Sequence, residues 1–357
     1  MAMVRGLGFA LATLVCASSA LVSAPRSWAQ ADGGFKARDV RLLVGYATGG
    51  GYDTYARIVG QHIRKHVPGQ PTVIVQNMPG ADGLTLANHM FARAPRDGSE
   101  IALTNRNIAV APTLGLVDPQ TVQYKAEQFY WLANLNTEVS VIVVRRDINV
   151  NSIDDLRRRP VIVGATGLTA NNAIYPYVTN NLLKTQFKVV TGYPGTSHIV
   201  LALERGEIEG IGGWAWSSIL VQKPDWVKDK FIVPLLQLGV GKHPDLADVP
   251  LIMDFAKGDE DRQALELIFA PEAMGRPFFA PPGLPAGVGP AWRAAFAALM
   301  SDKDFIASSE KAKLDVSFTD GQAVQDLVQR LAAVSPTAIE LAKKLTQRGN
   351  TEVKAKE

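Results

Sequence analysis

The sequence predicts an α/β protein of two lobes, each a mostly parallel sheet flanked by helices, with a helical C-terminal segment. Short apolar runs alternate with segments of helical periodicity between residues 40 and 240, a pattern typical of parallel sheets. The chain has 357 residues, more than the ~250–300 at which a single core stops growing, so two lobes are expected. Helical patterns predominate after residue 240 and no low-complexity linker interrupts the chain, which favours ordered crossings between the lobes.

The elements follow in order from apolar runs, glycine and proline positions and capping residues. Strands are predicted at residues 40–45, 71–75, 101–104, 139–144, 161–163, 187–190, 231–236 and 277–280. Helices are predicted at residues 53–66, 83–91, 170–183, 259–269, 290–300, 302–313, 322–333 and 336–345, with shorter ones after Ser152 and before Gly206. Pro234 indicates that the strand at 231–236 lies at a sheet edge or contains a bulge.

Residues 1–29 have the composition of a secretory signal peptide. Arg5 precedes an uncharged apolar stretch at 7–22, and Ser27 and Ala29 are the small residues that a signal peptidase reads. A membrane anchor is the alternative, and the processing site and small residues argue against it. The sole cysteine, Cys16, lies inside the signal, so the mature chain is expected to contain no disulfide and no thiol ligand.

The charge balance excludes one class of partner. Removing Arg5 and Arg26 with the signal peptide lowers the formal charge from +3 to +1. A near-neutral exported protein lacks the basic surface that nucleic-acid binding requires, so no nucleic-acid partner is expected.

An anion-binding loop is predicted where the first strand meets the first helix. The segment Tyr46-Ala47-Thr48-Gly49-Gly50-Gly51-Tyr52-Asp53 follows an apolar run and precedes a helical pattern. Glycines let backbone N–H groups approach a ligand, and a helix start adds partial positive charge. The same pattern also suits an ordinary strand-to-helix turn. The candidate ligand-binding residues here are Tyr46, Thr48, Gly49, Gly50, Gly51, Tyr52 and Asp53.

Two further loops have the same character, because each contains glycine and precedes a predicted helix. The first spans residues 164–171 and offers Gly164, Thr166, Gly167, Thr169, Ala170 and Asn171. The second offers Gly195, Thr196 and Ser197, and either hydroxyl of Thr196 or Ser197 is expected to cap the following helix. Because ligands of open α/β sheets bind beyond the carboxyl ends of strands, the three loops are expected to converge.

Some side chains near these loops have both a binding and a structural interpretation. Asp53 either accepts a hydrogen bond from a ligand or, as we favour, caps the helix and holds the loop. Arg106 follows a strand end, where it either pairs with a ligand carboxylate or remains a solvated loop arginine. Four aromatic residues can form the wall of a slot for an aromatic or aliphatic group: Tyr46, Tyr52, Trp214 and Trp216. For the two tryptophans a place in the core is favoured.

No recognisable catalytic or metal pattern accompanies the loops. His62 and His66 are four residues apart but lack the glutamate of a metalloprotease helix. The chain has no G-x-S-x-G elbow, and no lysine follows Gly50 as a phosphate-binding loop requires. We therefore expect capture without conversion, with no catalytic residue, metal or cofactor.

Four motifs occur in the order that is typical of a known family. Residues 41–53 form an apolar strand, a glycine run and an aspartate, and residues 75–83 contain Asn77-Met78-Pro79-Gly80-Ala81-Asp82-Gly83. Ala94-Pro95-Arg96-Asp97-Gly98 and Pro281-Pro282-Gly283-Leu284-Pro285 follow. In these segments the chain resembles the Bug-type receptors, the periplasmic solute-binding components of tripartite tricarboxylate transporters.

The resemblance implies a type II-like periplasmic binding protein whose two lobes close on a small organic carboxylate. It implies binding by backbone amides of the first glycine loop and of residues 164–171, periplasmic location, and delivery to integral membrane subunits of a tripartite tricarboxylate-type transporter. The expected division is lobe 1 at 38–136 plus 240–345, lobe 2 at 137–239 and a charged tail at 346–357, in a monomer.

The sequence departs from the family at three positions of the first loop. Gly45 and Thr48 replace the usual prolines and Tyr52 replaces a small residue, so a bulkier, aromatic carboxylate is an open possibility. Two alternatives also stay open: a receptor that signals to a sensor kinase, and an exported α/β hydrolase or lyase with dispersed catalytic residues.

Overall fold

The computed structural model describes residues 39–168, 170–193 and 195–349, and the backbone of a short strand at 352–354. The strands are β1 (Asp39–Val44), β2 (Thr72–Asn77), β3 (Glu100–Leu103), β4 (Tyr130–Asn134), β5 (Ser140–Arg145), β6 (Val161–Gly164), β7 (Phe187–Thr191), β8 (Gly210–Ala215), β9 (Ile232–Leu238), β10 (Pro277–Ala280), β11 (Thr319–Asp320) and β12 (Glu352–Lys354). The predicted signal peptide at 1–29 lies outside the described residues.

The helices lie between the strands and after them. They are α1 (Gly51–His62), α2 (Leu84–Ala92), α3 (Ile153–Arg158), α4 (Asn171–Leu183), α5 (Thr196–Arg205), α6 (Trp216–Gln222), α7 (Pro224–Lys228), α8 (Asp259–Phe269), α9 (Val288–Leu299), α10 (Lys303–Lys311), α11 (Gly321–Ala332) and α12 (Pro336–Thr346). The bounds of α8 and β10 are those predicted, whereas β4, β8, α6 and α7 were not predicted. Across the described residues, no helix is both long enough and apolar enough to cross a membrane.

The strands form two sheets of similar topology. The first sheet has the order β11-β4-β10-β3-β1-β2, and β1 pairs in parallel with β2 and β3. The second has the order β12-β7-β6-β8-β5-β9, and β6 pairs in parallel with β7 and β8. In each sheet the carboxyl ends of three neighbouring parallel strands therefore lie at one edge, where the glycine loops begin.

The predicted two-lobe α/β fold is confirmed, with sheets that are mixed. β10 lies antiparallel to β3 and β4, and β5 lies antiparallel to β8 and β9. Both β5 and β10 follow a crossing from the other lobe, so each runs through its sheet in the direction opposite to that of its neighbouring strands. β9 is an edge strand whose register shifts beside Pro234, as the proline predicted.

The chain passes from the first sheet to the second and back. The first crossing lies at residues 135–139, between β4 and β5. After β9 the chain stays with the second sheet, because buried residues 251–253 and 264–270 share its hydrophobic core. Since β10 belongs to the first sheet, we place the return crossing at residues 271–276. Ala342 and Leu345 of α12 also belong to the core of the second sheet. We therefore propose lobe boundaries near Glu272 and after α11 in place of the expected ones.

Asp302 joins two helices of the first lobe through a network of charged hydrogen bonds. Its carboxylate accepts the backbone N–H groups of Asp304 and Phe305 at the start of α10. It also accepts Lys65 Nζ at 2.7 Å and His66 Nε2 at 2.8 Å. Burial alone would raise the pKa of Asp302, but the donors from Lys65, His66 and the two amides outweigh it and hold the pKa well below its usual range.

This network predicts a pH-dependent stability. Because its folded pKa is depressed, Asp302 stabilises the fold above the unfolded-chain pKa of about 3.9, and this contribution is lost as the pH falls. Asp302→Asn keeps a capping side chain and removes the charge, so we expect it to cost about 1–2 kcal/mol at pH 7. Urea unfolding of both proteins should show the difference narrowing below about pH 4. A difference that is constant from pH 7 to pH 3 would contradict this account.

Candidate functional site

The first loop, residues 45–50, connects β1 to α1 and exposes its backbone. Gly49 has φ +85°, a conformation that glycine adopts without strain, and Gly50 is the N-cap residue of α1. No side chain caps α1, and a Cβ atom placed on Gly49 or Gly50 would have no neighbour within 4 Å. The start of α1 therefore carries no side-chain cap and no crowding around Gly49 and Gly50, as the approach of a small anion requires.

Asp53 holds the shape of this loop. The side chain is buried, and its carboxylate accepts the Gly49 N–H, Arg57 Nε and Asn77 Nδ2, each at 2.9 Å. Burial would raise the pKa of Asp53, but the hydrogen bonds from Arg57, Gly49 and Asn77 lower it below the ordinary value. With its oxygens satisfied in this way, Asp53 positions the loop, as we favoured from the sequence. It does not cap the helix, since no side chain caps α1.

Two tyrosines form a wall beside the loop. The rings of Tyr46 and Tyr52 stack with centroids 4.8 Å apart, and the Tyr46 hydroxyl donates to Asp82 Oδ1 at 2.8 Å. Burial raises the pKa of Tyr46 well above its usual value, and the Asp82 charge adds to this effect. Trp214 and Trp216 are instead buried in the core of the second lobe, as favoured from the sequence. Thr48 is exposed on the loop.

The second loop, residues 165–170, connects β6 to α4. The N-cap residue Ala170 provides no side-chain cap, and a Cβ on Gly167 would meet nothing within 4 Å. The Thr166 N–H donates to Asn172 Oδ1 at 3.2 Å. Gly164 has a packing role, because a Cβ there would lie 2.8 Å from Ile199 Cγ2. Thr169 lies outside the described residues.

The third loop, residues 192–195, connects β7 to α5. Gly195 is the N-cap residue of α5, and a Cβ on it would also meet nothing within 4 Å. The expectation that Thr196 or Ser197 caps this helix is wrong, because α5 already begins at Thr196 and no side chain caps it. The Tyr193 N–H donates to the Ala165 carbonyl at 3.4 Å, so the second and third loops are neighbours.

A buried network connects the first lobe to the start of α4. Asn107 Nδ2 donates to Asn171 Oδ1 at 2.5 Å, and Asn171 Nδ2 donates to Glu272 Oε1 at 3.1 Å. The same Glu272 oxygen accepts Arg106 Nη2 at 2.5 Å, and Ser140 Oγ donates to Glu272 Oε2 at 3.0 Å. The Tyr175 hydroxyl also donates to Glu272. The start of α4 is thus held against the first lobe.

The Arg106 guanidinium is therefore already paired within the protein. This differs from both interpretations from the sequence, a partner of a ligand carboxylate and a solvated loop arginine. Its side chain is only 9% exposed and pairs with the fully buried carboxylate of Glu272. Burial would lower the pKa of Arg106, but the Glu272 charge outweighs it and raises the pKa. Burial raises the pKa of Glu272, and the Arg106 charge partly opposes this. Arg106 and Glu272 hold the junction of the lobes together.

The structure brings some predicted residues together and leaves others apart. Tyr46 of the first loop is connected to Asn171 at the start of α4 by hydrogen bonds that run through Asp82, Asn105 and Asn107. A hydrogen bond from the third loop connects it to the second loop. The sequence did not reveal Asn77, Asp82, Asn107, Tyr175 or Glu272. Glu272 had one signal, since it is the single charge within the apolar run 267–275. Among the described residues, no group of three or more His, Cys, Asp or Glu side chains is placed to hold a metal ion.

Two lobes of this topology, with glycine loops at the carboxyl edges of both sheets, define a periplasmic binding protein fold. A TctC solute-binding protein from Polaromonas has a TM-score of 0.64 and 20% identity, over 87% of this chain and 98% of that one. The periplasmic binding protein BugD has a TM-score of 0.63 and 20% identity, over 89% and 100%. MatC from Rhodopseudomonas palustris, solved with bound malate, has a TM-score of 0.61 and 17% identity, over 88% and 100%.

The sequence comparison points to the same group of proteins. A UPF0065 protein from the TAR-I ttuE-ttuC' intergenic region of Agrobacterium vitis is 26% identical over 256 residues, which are 70% of each chain. No family model matches the chain. The resemblance to the Bug-type receptors of tripartite tricarboxylate transporters, predicted from the motifs, is confirmed.

Proposed function

We propose that this protein is a periplasmic solute-binding receptor that captures a small organic carboxylate between its lobes and delivers it to a tripartite tricarboxylate-type membrane transporter. The proposal includes export by the N-terminal signal, action as a monomer, and binding without catalysis. The ligand classes that we consider are di- and tricarboxylates and aromatic carboxylates.

The observation that carries this proposal is a set of uncapped helix starts that follow glycine loops on both lobes. α1, α4 and α5 each begin beyond the carboxyl end of a sheet strand, and none has a side-chain cap. α2, α6, α7, α8 and α9 also lack such a cap. What distinguishes α1, α4 and α5 is an open glycine position, at Gly50, Gly167 or Gly195, in a loop that directly follows a sheet strand. Free amides with a positive helix end attract a carboxylate, so the uncapped helices are suited to receive one from a ligand.

The chemistry of the neighbouring acids supports capture rather than conversion. Asp53 accepts hydrogen bonds from three groups, and Glu272 is buried against Arg106, Tyr175 and Ser140. Such carboxylates have no free oxygen with which to remove or deliver a proton. MatC, a structural neighbour, holds malate, which supports a dicarboxylate as the first ligand to test.

The proposal predicts stabilisation and closure on ligand binding. The mature protein should be screened by thermal shift against malate, adipate, citrate and benzoate, with glucose as the uncharged control. A bound acid at ~100 times its Kd should stabilise the fold by ~2.7 kcal/mol. X-ray scattering with that acid should show a smaller radius of gyration, because the lobes close around it.

Three outcomes would contradict the proposal. A melting temperature that none of the acids changes would contradict the binding function. Scattering curves that superimpose with and without the bound acid would contradict closure of the lobes. Conversion of the bound acid during prolonged incubation would favour the exported hydrolase or lyase.

A further inference from the structure

Arg276 lies beside the start of α1, at the end of the return crossing and directly before β10. Its Cζ atom lies 4.7 Å from the ring centroid of Tyr52 and 5.0 Å from that of Tyr55, both on α1. These cation–π contacts hold the guanidinium against the first turns of the helix. The residue is partly exposed, so the charge reaches the surface there.

The guanidinium is close to the exposed backbone of α1. A Cβ atom on Gly51, the first residue of the helix, would lie 3.2 Å from Arg276 Nη2. Gly51 therefore keeps the space beside the guanidinium free of a side chain. This places a fixed positive charge next to the amides that the proposed function assigns to a ligand carboxylate.

Arg276 has no carboxylate partner among the described residues. Nη1 donates to the Gly275 carbonyl at 2.6 Å, and Nε is buried without a hydrogen-bond partner. The carboxylate of Asp315, which lies near Tyr55, accepts Asn136 Nδ2, and that of Glu138 accepts the Ser217 hydroxyl. A buried donor without a partner is costly, so a ligand oxygen that satisfies the guanidinium would gain affinity.

We propose that Arg276 is a specificity-determining binding residue, which pairs with the carboxylate that the start of α1 holds. The inference rests on the proposed function. It adds the requirement that the ligand group at the start of α1 is an ionised carboxylate. Backbone N–H groups also donate to neutral carbonyl oxygens, whereas a guanidinium pairs selectively with an ionised carboxylate.

The test compares two arginines of the first lobe that both contact a tyrosine ring. Arg276→Gln removes the proposed partner of the ligand. Arg293→Gln is the matched control, since Arg293 lies 4.4 Å from the Tyr130 ring and donates to the backbone carbonyls of Trp131 and Gly321. Both variants lose one positive charge, so a general effect of net charge would appear in both. Urea unfolding establishes that each variant is folded.

Affinities are measured by calorimetry for the tightest acid among malate, adipate, citrate and benzoate, and for its monoamide or amide. We expect Arg276→Gln to bind the acid about 10- to 100-fold more weakly, with a reduced salt dependence and little change for the amide. Arg276→Lys should recover part of the affinity, and Arg293→Gln should bind as the wild type does.

The outcomes separate this inference from the proposed function. If the wild type binds an acid and Arg276→Gln binds it equally well, the inference falls and the proposed function stands. Equal losses in Arg276→Gln and Arg293→Gln also overturn it, because they indicate long-range charge alone. A wild type that binds none of the acids overturns both.

Discussion

Glu272→Ala is expected to destabilise the protein by about 3–5 kcal/mol, the cost of leaving a buried charge without its partner. Glu272 is fully buried and accepts hydrogen bonds from Arg106, Asn171, Tyr175 and Ser140. Its removal leaves the Arg106 guanidinium inside the junction with no counter-charge. Urea unfolding at pH 7 measures the decrease in the free energy of unfolding. If the decrease exceeds the stability of the protein, the yield of folded Glu272→Ala falls sharply.

Three further variants distinguish the effect of losing the Glu272 charge from the effect of losing the volume of its side chain. Glu272→Gln keeps the shape and folds more readily than Glu272→Ala, so it secures a measurement if the alanine variant does not fold. Replacing Arg106 and Glu272 together with Met and Leu should cost less than the sum of the two single changes. Glu340→Ala breaks an exposed pair with Lys343 and should leave the unfolding curve almost unchanged. If Glu272→Ala lowers the free energy of unfolding as little as Glu340→Ala does, the junction does not depend on the ion pair between Arg106 and Glu272.

The position of Glu272 explains why one residue matters so much. It lies in the return crossing, and its backbone carbonyl accepts the N–H of Glu138 in the first crossing at 2.9 Å. Its side chain contacts Arg106 of the first lobe and Asn171 and Tyr175 of the second. The lobes therefore meet around one residue, whose carboxylate contacts both lobes and whose backbone carbonyl joins the two crossings.

Local sequence signals predicted most of the elements, and the exceptions have physical causes. β8 escaped prediction because half of its six residues are glycines, at 210, 212 and 213, and Ile211 is its only β-branched residue. Those glycines are required by packing: a Cβ on Gly212 would lie 2.2 Å from Pro176 Cγ of α4. The sequence alone does not locate the return crossing, because the amphipathic pattern of α8 indicates that this helix covers a sheet but does not indicate which sheet.

The candidate site was predictable to the extent that it consists of backbone. Glycines before a helix are visible in one stretch of sequence, so the loops at Gly50, Gly167 and Gly195 could be located, and their role in binding stays a prediction. Arg276 and Glu272 come from a segment more than 160 residues away from the loops at Gly50 and Arg106, and no periodicity connects such distant positions. For Asp53 the sequence revealed one part of the arrangement. Its position in the first turn of α1 suggested that it holds the loop, but nothing indicated that Asn77 and Arg57 also donate hydrogen bonds to its carboxylate.

Gly50→Asn is expected to abolish high-affinity binding while leaving the fold intact. Gly50 has φ −86° and ψ 170°, which asparagine adopts without strain, and there is open space around its Cβ position. An asparagine at the N-cap bonds the first free amides of α1, so it occupies the donors assigned to the ligand. We expect the stability to change by no more than a few tenths of a kcal/mol. The affinity for the acid should fall by about 100-fold or more, since two or more charge-assisted hydrogen bonds are lost.

Gly258→Asn supplies the matched control, because α8 begins in the same way as α1. Gly258 is an extended N-cap residue with no side-chain cap and an open Cβ position, and Asp261 accepts the Lys257 N–H as Asp53 accepts that of Gly49. Unlike α1, α8 does not follow a sheet strand, so its amides do not face the proposed site. Calorimetry should therefore show unchanged affinity in Gly258→Asn. Equal affinities in the wild type and Gly50→Asn would mean that the acid is held elsewhere than at the start of α1.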